Sequence, residues 1–353
     1  MPTLYIASTE TFVGKSAVCM GLLHRMQQDG YTVGYMKPLS VQAQSGEEQD
    51  TALIKQTFHL PAALDDMAPV LMTPSLIESM LHGQRVSYVE QVQHAFATVA
   101  ADTDIMIVEG SNSWAEGALI GLSAPRVIEM LNATSLLVSR YRGLHTVDII
   151  LSVKRYLPSQ FSGVLLNQVE PPQVDYVRRE IVPFLEREGI PVLGVLPQDR
   201  LLSSVSVADL AEHLNAQFIG EKAWYSKPIE SLMIGAMNSE AGLSFFRRRP
   251  RKAVITGGDR VDLQLVALET DTSVLVLSGN MGPMIKVIER AEDRQIPILV
   301  VAEDTLTTVE KAEQLFGKVR FHQPAKFDRF MGMMNAGFDF VRLYNILEIT
   351  PRP

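Results

Sequence analysis

The chain has 353 residues, 46% of them apolar and 20% charged, with 23 glycines and 19 prolines; it is too apolar for disorder and too long for one average domain, so two globular domains are expected. Lys+Arg 32 against Asp+Glu 40 gives a net charge of −8, which repels a phosphate polymer and argues against nucleic acid as a partner. No run approaches the roughly 20 apolar residues of a bilayer span, MPTLYIAS is not a signal-peptide start, and the single Cys19 permits no internal disulfide or thiolate-rich metal cluster, so a soluble cytoplasmic protein without membrane contact is expected.

In chain order, β-branched runs predict buried strands at Leu4–Ala7, Val33–Met36, Ile105–Val108, Leu136–Val138, Val164–Leu166 and Val192–Leu196, with helical periodicity between several of them. That alternation predicts a parallel α/β sheet. Val207, Leu210, Ala211 and Leu214 share one helical face, read as the last helix of a first domain spanning 1–215. Phe245–Lys252 (FFRRRPRK) is the dense basic run, and Pro250 argues against a continuous helix through it. It is either a solvated approach to a strand or an anion site. Further strands are predicted at Ala253–Thr256, Val274–Leu277 and Ile298–Val301, alternating with helical segments such as Pro283–Arg294, which gives a second, smaller α/β domain over 216–353. The last apolar run, Phe327–Leu347, either packs on its own sheet or exposes surface for assembly. Its methionines Met331, Met333 and Met334 are read as core filling.

The chemistry concentrates after the first strand, where Ser8-Thr9-Glu10-Thr11-Phe12-Val13-Gly14-Lys15-Ser16 precedes an amphipathic run, Ala17–Met26. Strand, loop, Gly-Lys-Ser and helix form the context of a phosphate-binding loop. Backbone N–H groups from Thr11 to Ala17 would face an anion, Lys15 adds positive charge, and Ser16 can ligate a magnesium ion. ATP with Mg2+ fits this arrangement. Neither Ser8 nor Thr9 supplies the first glycine such loops carry. Glu109 ends an apolar strand, at the sheet edge where open α/β sheets bind ligands, as a magnesium ligand or a solvated acid. Asp50 lies in an acidic run that is either a second ligand or a helix start favoured by the dipole.

Read together, STETFVGKS, Lys37-Pro38, Asp50, Glu109-Gly110, Asn167 in GVLLNQVEPP and Pro197 in GVLPQDRLL resemble dethiobiotin-synthetase-like P-loop domains over about residues 1–215. The resemblance implies that Lys37 contacts an amine substrate, that Asp50 and Glu109 join Ser16 on magnesium, and that Asn167 and Pro197 frame the base. Ser111-Asn112-Ser113 and Phe12 depart from that family's glycine-rich stretch and loop acid. The segment FFRRRPRKAVITGGDR to VEKAE resembles the DRTGG domain, and the order of the two resembles the N-terminal half of long bacterial phosphotransacetylases, without the acyl-transfer domain that follows there. Phosphotransacetylase activity is not expected. In this half Gly257, Gly258, Asp259 and Arg260 follow a strand, where side-chain-free residues admit a ligand and Asp259 and Arg260 act as acceptor and forked donor, or form an internal ion pair. Asn280 lies in a similar loop.

The seven histidines include no i, i+4 pair, and no Gly-x-Ser-x-Gly elbow occurs. The favoured function is a nucleotide-responsive regulatory protein, with a metabolite or a partner enzyme at the second domain. The alternatives are an ATP-dependent ligase or phosphotransferase using Lys15 and Lys37 catalytically, and a structural assembly protein with an inactive nucleotide site. A homo-oligomer is expected, since both families resembled build sites or contacts between subunits.

Overall fold

The computed structural model describes residues 1–41, 49–83, 87–157, 159–316, 324–350 and 352. The chain forms two compact units, one of residues 1–198 with 321–353 and one of residues 199–320.

The first unit is built on six parallel strands: β1 (Thr3–Ser8), β2 (Val33–Met36), β3 (Ile105–Glu109), β4 (Thr134–Arg140), β5 (Phe161–Val169) and β6 (Val192–Pro197). Their order across the sheet is β2-β3-β1-β4-β5-β6. Every residue of β1, β2 and β3 is buried, as strands covered on both faces require. Each predicted strand of this half is present, Val33–Met36 with the bounds expected and the others extended by one to three residues at one or both ends. Helices α1 (Lys15–Gln28), α2 (Gln49–Phe58) and α3 (Leu144–Tyr156) follow β1, β2 and β4. All strands point their C-terminal ends to one edge, which gathers the loops after β1, β3, β4 and β5.

The second unit carries a five-stranded sheet of β7 (Gln217–Ile219), β8 (Ser231–Ile234), β9 (Lys252–Gly257), β10 (Thr272–Ser278) and β11 (Ile298–Val300), in the order β7-β11-β10-β9-β8. β8 to β11 are parallel, and β7 is the antiparallel edge. Helix α4 (Val207–His213) begins with a capping box between Ser206 and Asp209.

The expected division between residues 215 and 216 is corrected at both ends. The predicted face of α4, with Val207, Leu210, Ala211 and Leu214, packs against Ala253, Ile255, Val274, Val276 and Leu299, so this helix belongs to the second core. At the other end, α5 (Pro324–Gly337) and α6 (Phe340–Ile346) return to the first unit. Gly194 of β6 bridges Phe338, and the Asp339 N–H donates to the Leu193 carbonyl at 2.7 Å. The Arg342 guanidinium grips Glu186 with two bonds of 2.6 and 2.8 Å. Tyr344 donates to Asp29 at 2.6 Å. Phe330, Met331, Met334, Phe338, Phe340, Leu343 and Tyr344 are buried, and Met333 is half-buried; the apolar run closes the first core. Among the described residues no helix is long and apolar enough to cross a membrane.

Candidate functional site: the loop after the first strand

The first strand ends in Ser8, and the chain turns through Phe12 and Gly14, both at positive φ (57° and 91°), into α1. At Gly14 a Cβ would stand 2.7 Å from Asn167 Nδ2, so glycine is required there by both the backbone angle and the close approach of β5. Asn167 Nδ2 donates to the Val13 carbonyl at 2.8 Å and Gln168 Nε2 to the Phe12 carbonyl at 3.0 Å. Two side chains of one strand thus hold the loop by its backbone.

Lys15, at the first position of α1, is buried, and its Nζ donates to Ser8 Oγ at 2.7 Å. Ser8 Oγ in turn donates to the Glu10 carbonyl at 3.0 Å. Ser8, one of the two residues where the loop lacks its first glycine, therefore engages the loop's own lysine. Burial lowers the Lys15 pKa; nearby Glu109 opposes that shift and Lys37 adds to it. Lys37 is half-buried just beyond β2, and its N–H donates to the Met67 carbonyl at 2.7 Å.

Ser16 donates from Oγ to Glu109 Oε1 at 2.8 Å, and Tyr35 donates from its hydroxyl to Oε2 at 2.8 Å. Glu109 is buried at the end of β3, and both its oxygens are aimed by these donors. The Cys19 thiol, one turn into α1, is buried and bonded to the same carboxylate, and burial raises its pKa well above the ordinary thiol range. A Cβ on Gly110 would meet Tyr5 OH at 2.8 Å and the Ile6 carbonyl at 2.9 Å, so the chain leaves β3 tight against β1.

Thr11 is exposed at the loop's tip, while Val13 and Ala17 are buried. Asp50 is exposed in the first turn of α2; the residues 42–48 before that helix lie outside the described residues. Pro197 ends β6 and pairs in register with Val169. The structure thus brings Lys15, Ser16, Glu109 and Asn167 together around one loop, and Lys37 close enough to Lys15 to act on its charge. Sequence reasoning missed Tyr35 and Gln168; Tyr35 shares the short strand before Lys37, and its register opposite Ile107 on β3, which no local spacing encodes, brings it to Glu109. The oxygens of Ser16 and Glu109 are hard donors that suit magnesium. Among the described residues no group of three or more His, Cys, Asp or Glu could hold a metal ion, so phosphate oxygens and water would complete such a site.

In the second unit Gly257 ends β9 and Gly258 begins the turn after it. Gln264, fully buried, donates from Nε2 to both their carbonyls at 3.1 and 3.0 Å. A Cβ on Gly258 would lie 2.5 Å from Met281, so that glycine admits the neighbouring loop. Arg260 pairs with Asp262 at 3.1 Å and donates to the Met237 carbonyl at 2.8 Å; the internal ion pair forms with Asp262, two residues along. Asp259 and Asn280 are exposed, Asn280 at φ 56°. In the basic run Arg247, Arg248, Arg249 and Arg251 are exposed, Arg251 pairs with Glu230, and Lys252 is buried, as is Phe246.

The family model described as AAA domain matches residues 2–206, and that of the DRTGG domain matches residues 209–315. The phosphate acetyltransferase of Synechocystis sp. is 23% identical, over 99% of this chain and 53% of that protein. That of Pseudomonas aeruginosa is 24% identical, over 96% of this chain and 51% of that protein. The chain spans about half the length of the curated relatives it matches. Among solved structures, the MinD cell division protein of Aquifex aeolicus aligns with a TM-score of 0.33 and 14% identity, over 57% of this chain and 84% of that one.

Proposed function

The chain belongs to the AAA domain family, followed by a DRTGG domain, and from that premise we propose that it is a regulatory protein that binds ATP with magnesium. The observation that carries the reading is the contact of Ser16 Oγ with Glu109 Oε1 at 2.8 Å beside Lys15 at the first turn of α1. A hydroxyl, a fixed carboxylate and a buried ammonium then meet at a helix N-terminus behind a parallel strand, a setting suited to a nucleotide's phosphates. Ser16 and Glu109 would hold the magnesium ion, which supplies positive charge to those phosphates, and Asn167 keeps the loop in shape. Thr11, Val13, Gly14 and Ala17 would contribute backbone N–H groups, Pro197 the approach to the base, and Asp50 a further oxygen for the metal. In the second unit the loops with Gly257, Gly258, Asp259, Arg260 and Asn280 would sense a metabolite or engage a partner enzyme.

A regulatory role is supported by Ser8, which takes up the Lys15 ammonium that a phosphoryl-transfer site would leave for its substrate. A second reading, an ATP-dependent ligase or phosphotransferase, is favoured by the closeness of Lys37 to Lys15. Calorimetric titration with MgATP, followed by an ADP-release assay across candidate acceptors, separates them. Binding with negligible turnover fits the sensor, and acceptor-dependent ADP release fits the enzyme. Homo-oligomerisation is also proposed, although the run Phe327–Leu347 no longer argues for it, since most of its apolar residues are spent on the chain's own core. Light scattering after size exclusion tests it: a mass of one chain with and without ATP removes it.

A further inference from the structure

We propose that Arg142 is a phosphate-positioning residue of this nucleotide site, held over the loop by Glu10. The inference deepens the nucleotide-binding reading and rests on it.

Arg142 stands in the turn between β4 and α3, two residues past the end of β4, on the same sheet edge as the loop after β1. One guanidinium nitrogen meets Glu10 Oε2 at 3.0 Å. Glu10 is itself a loop residue, and its carbonyl accepts the Ser8 hydroxyl that receives Lys15. The arginine and the loop lysine are thus anchored within two residues of each other along the chain.

The backbone presenting Arg142 is fixed. Its N–H donates to Oγ1 of buried Thr146 at 2.8 Å, and Gly143, at φ 84°, turns the chain into α3. The preceding N–H, of Tyr141, donates to the Asn167 carbonyl at 3.3 Å, while the Asn167 side chain holds Val13. One residue of β5 therefore ties the Arg142 turn and the phosphate loop together. The Arg142 side chain is 58% exposed, so its guanidinium keeps further N–H donors toward solvent, in the fork geometry that grips a phosphate by two bonds. A half-buried acid on a phosphate-binding loop, left unpaired, would repel the ligand. Glu10 does not, because Arg142 neutralises it and faces the same edge.

Two roles are separable: Arg142 binds the phosphates itself, or it only cancels the charge of Glu10. The test titrates MgATP, adenosine and inorganic tripolyphosphate into wild type, Arg142→Ala, Arg142→Lys, Glu10→Gln and the Glu10→Gln/Arg142→Ala double variant. Thermal melting without ligand checks that each is folded. The expected result is a roughly tenfold loss of MgATP and tripolyphosphate affinity in Arg142→Ala, a smaller loss in Arg142→Lys, and unchanged adenosine binding. The salt dependence of MgATP binding becomes shallower. The double variant binds more weakly than Glu10→Gln alone. The proposal is overturned if removing Arg142 costs nothing once Glu10 is neutral, or if Arg142→Ala matches wild type while wild type binds. Absence of MgATP and tripolyphosphate binding in the wild type instead removes the nucleotide-binding reading, and this proposal with it.

Discussion

Lys15 Nζ donates to Ser8 Oγ at 2.7 Å, so the residue that ends the first strand is the partner of the loop's cation. A bound phosphate competes with Ser8 for the Lys15 ammonium. Ser8→Ala is expected to lower the stability of the ligand-free protein by about 1–3 kcal/mol, because a buried ammonium loses its acceptor. The same change is expected to tighten MgATP binding about fivefold. Denaturant unfolding and calorimetry read the two opposite signs, and weaker binding would show that Ser8 supports the ligand.

Tyr35→Phe removes the donor to Glu109 Oε2. The carboxylate is buried, so stability should fall by roughly 1.5–3 kcal/mol, as for a hydrogen bond to a charged group. Half-saturation by magnesium at fixed ATP should rise, because the carboxylate is no longer aimed. An unchanged magnesium requirement would separate Tyr35 from the metal site.

Removing residues 324–353 should unfold the first unit and spare the second. Among the described residues nine large apolar side chains of this segment are buried, and at about 1.5–3 kcal/mol each their loss matches or exceeds the typical 5–15 kcal/mol stability of a domain. Limited proteolysis should leave a protected fragment near residues 199–316. Survival of an intact first unit would mean that its core closes without α5 and α6.

Lys252 is buried at the start of β9, its Nζ donates to the Asp271 carbonyl at 2.8 Å, and burial brings its pKa from 10.5 to about 8. Between these values the unfolded chain keeps a proton that the folded one has released, so this group makes stability rise with pH across the window. Below about 8 the penalty is present in full. Lys252→Met should therefore be more stable than wild type at neutral pH, by roughly 1–3 kcal/mol. The advantage should shrink toward alkaline pH. A difference that is flat with pH would contradict it.

The strands and the loop motif were legible because doubly buried strands are continuous apolar runs, and Gly-Lys-Ser sits at the first strand-to-helix turn. The division of the chain was less so. The face of Val207, Leu210, Ala211 and Leu214 reports that a helix is amphipathic, not which sheet it covers. Phe330, Met334 and Phe340 likewise signal burial without naming a partner, and their place on the first sheet depends on a return of the chain across a whole domain. At the site, Lys15, Ser16 and Glu109 follow from position at strand ends. Tyr35, Arg142 and the bond of Ser8 to Lys15 depend on contacts between separate elements of the fold, which no local spacing encodes.

The central claim is nucleotide binding at the loop, and calorimetric titration of MgATP into wild type and Lys15→Ala tests it most directly. The account predicts saturable binding by the wild type and a loss of about 1.5–3 kcal/mol in the variant, which no longer carries the buried ammonium of the loop. Equal affinities in the two proteins, or no binding by the wild type, would contradict it.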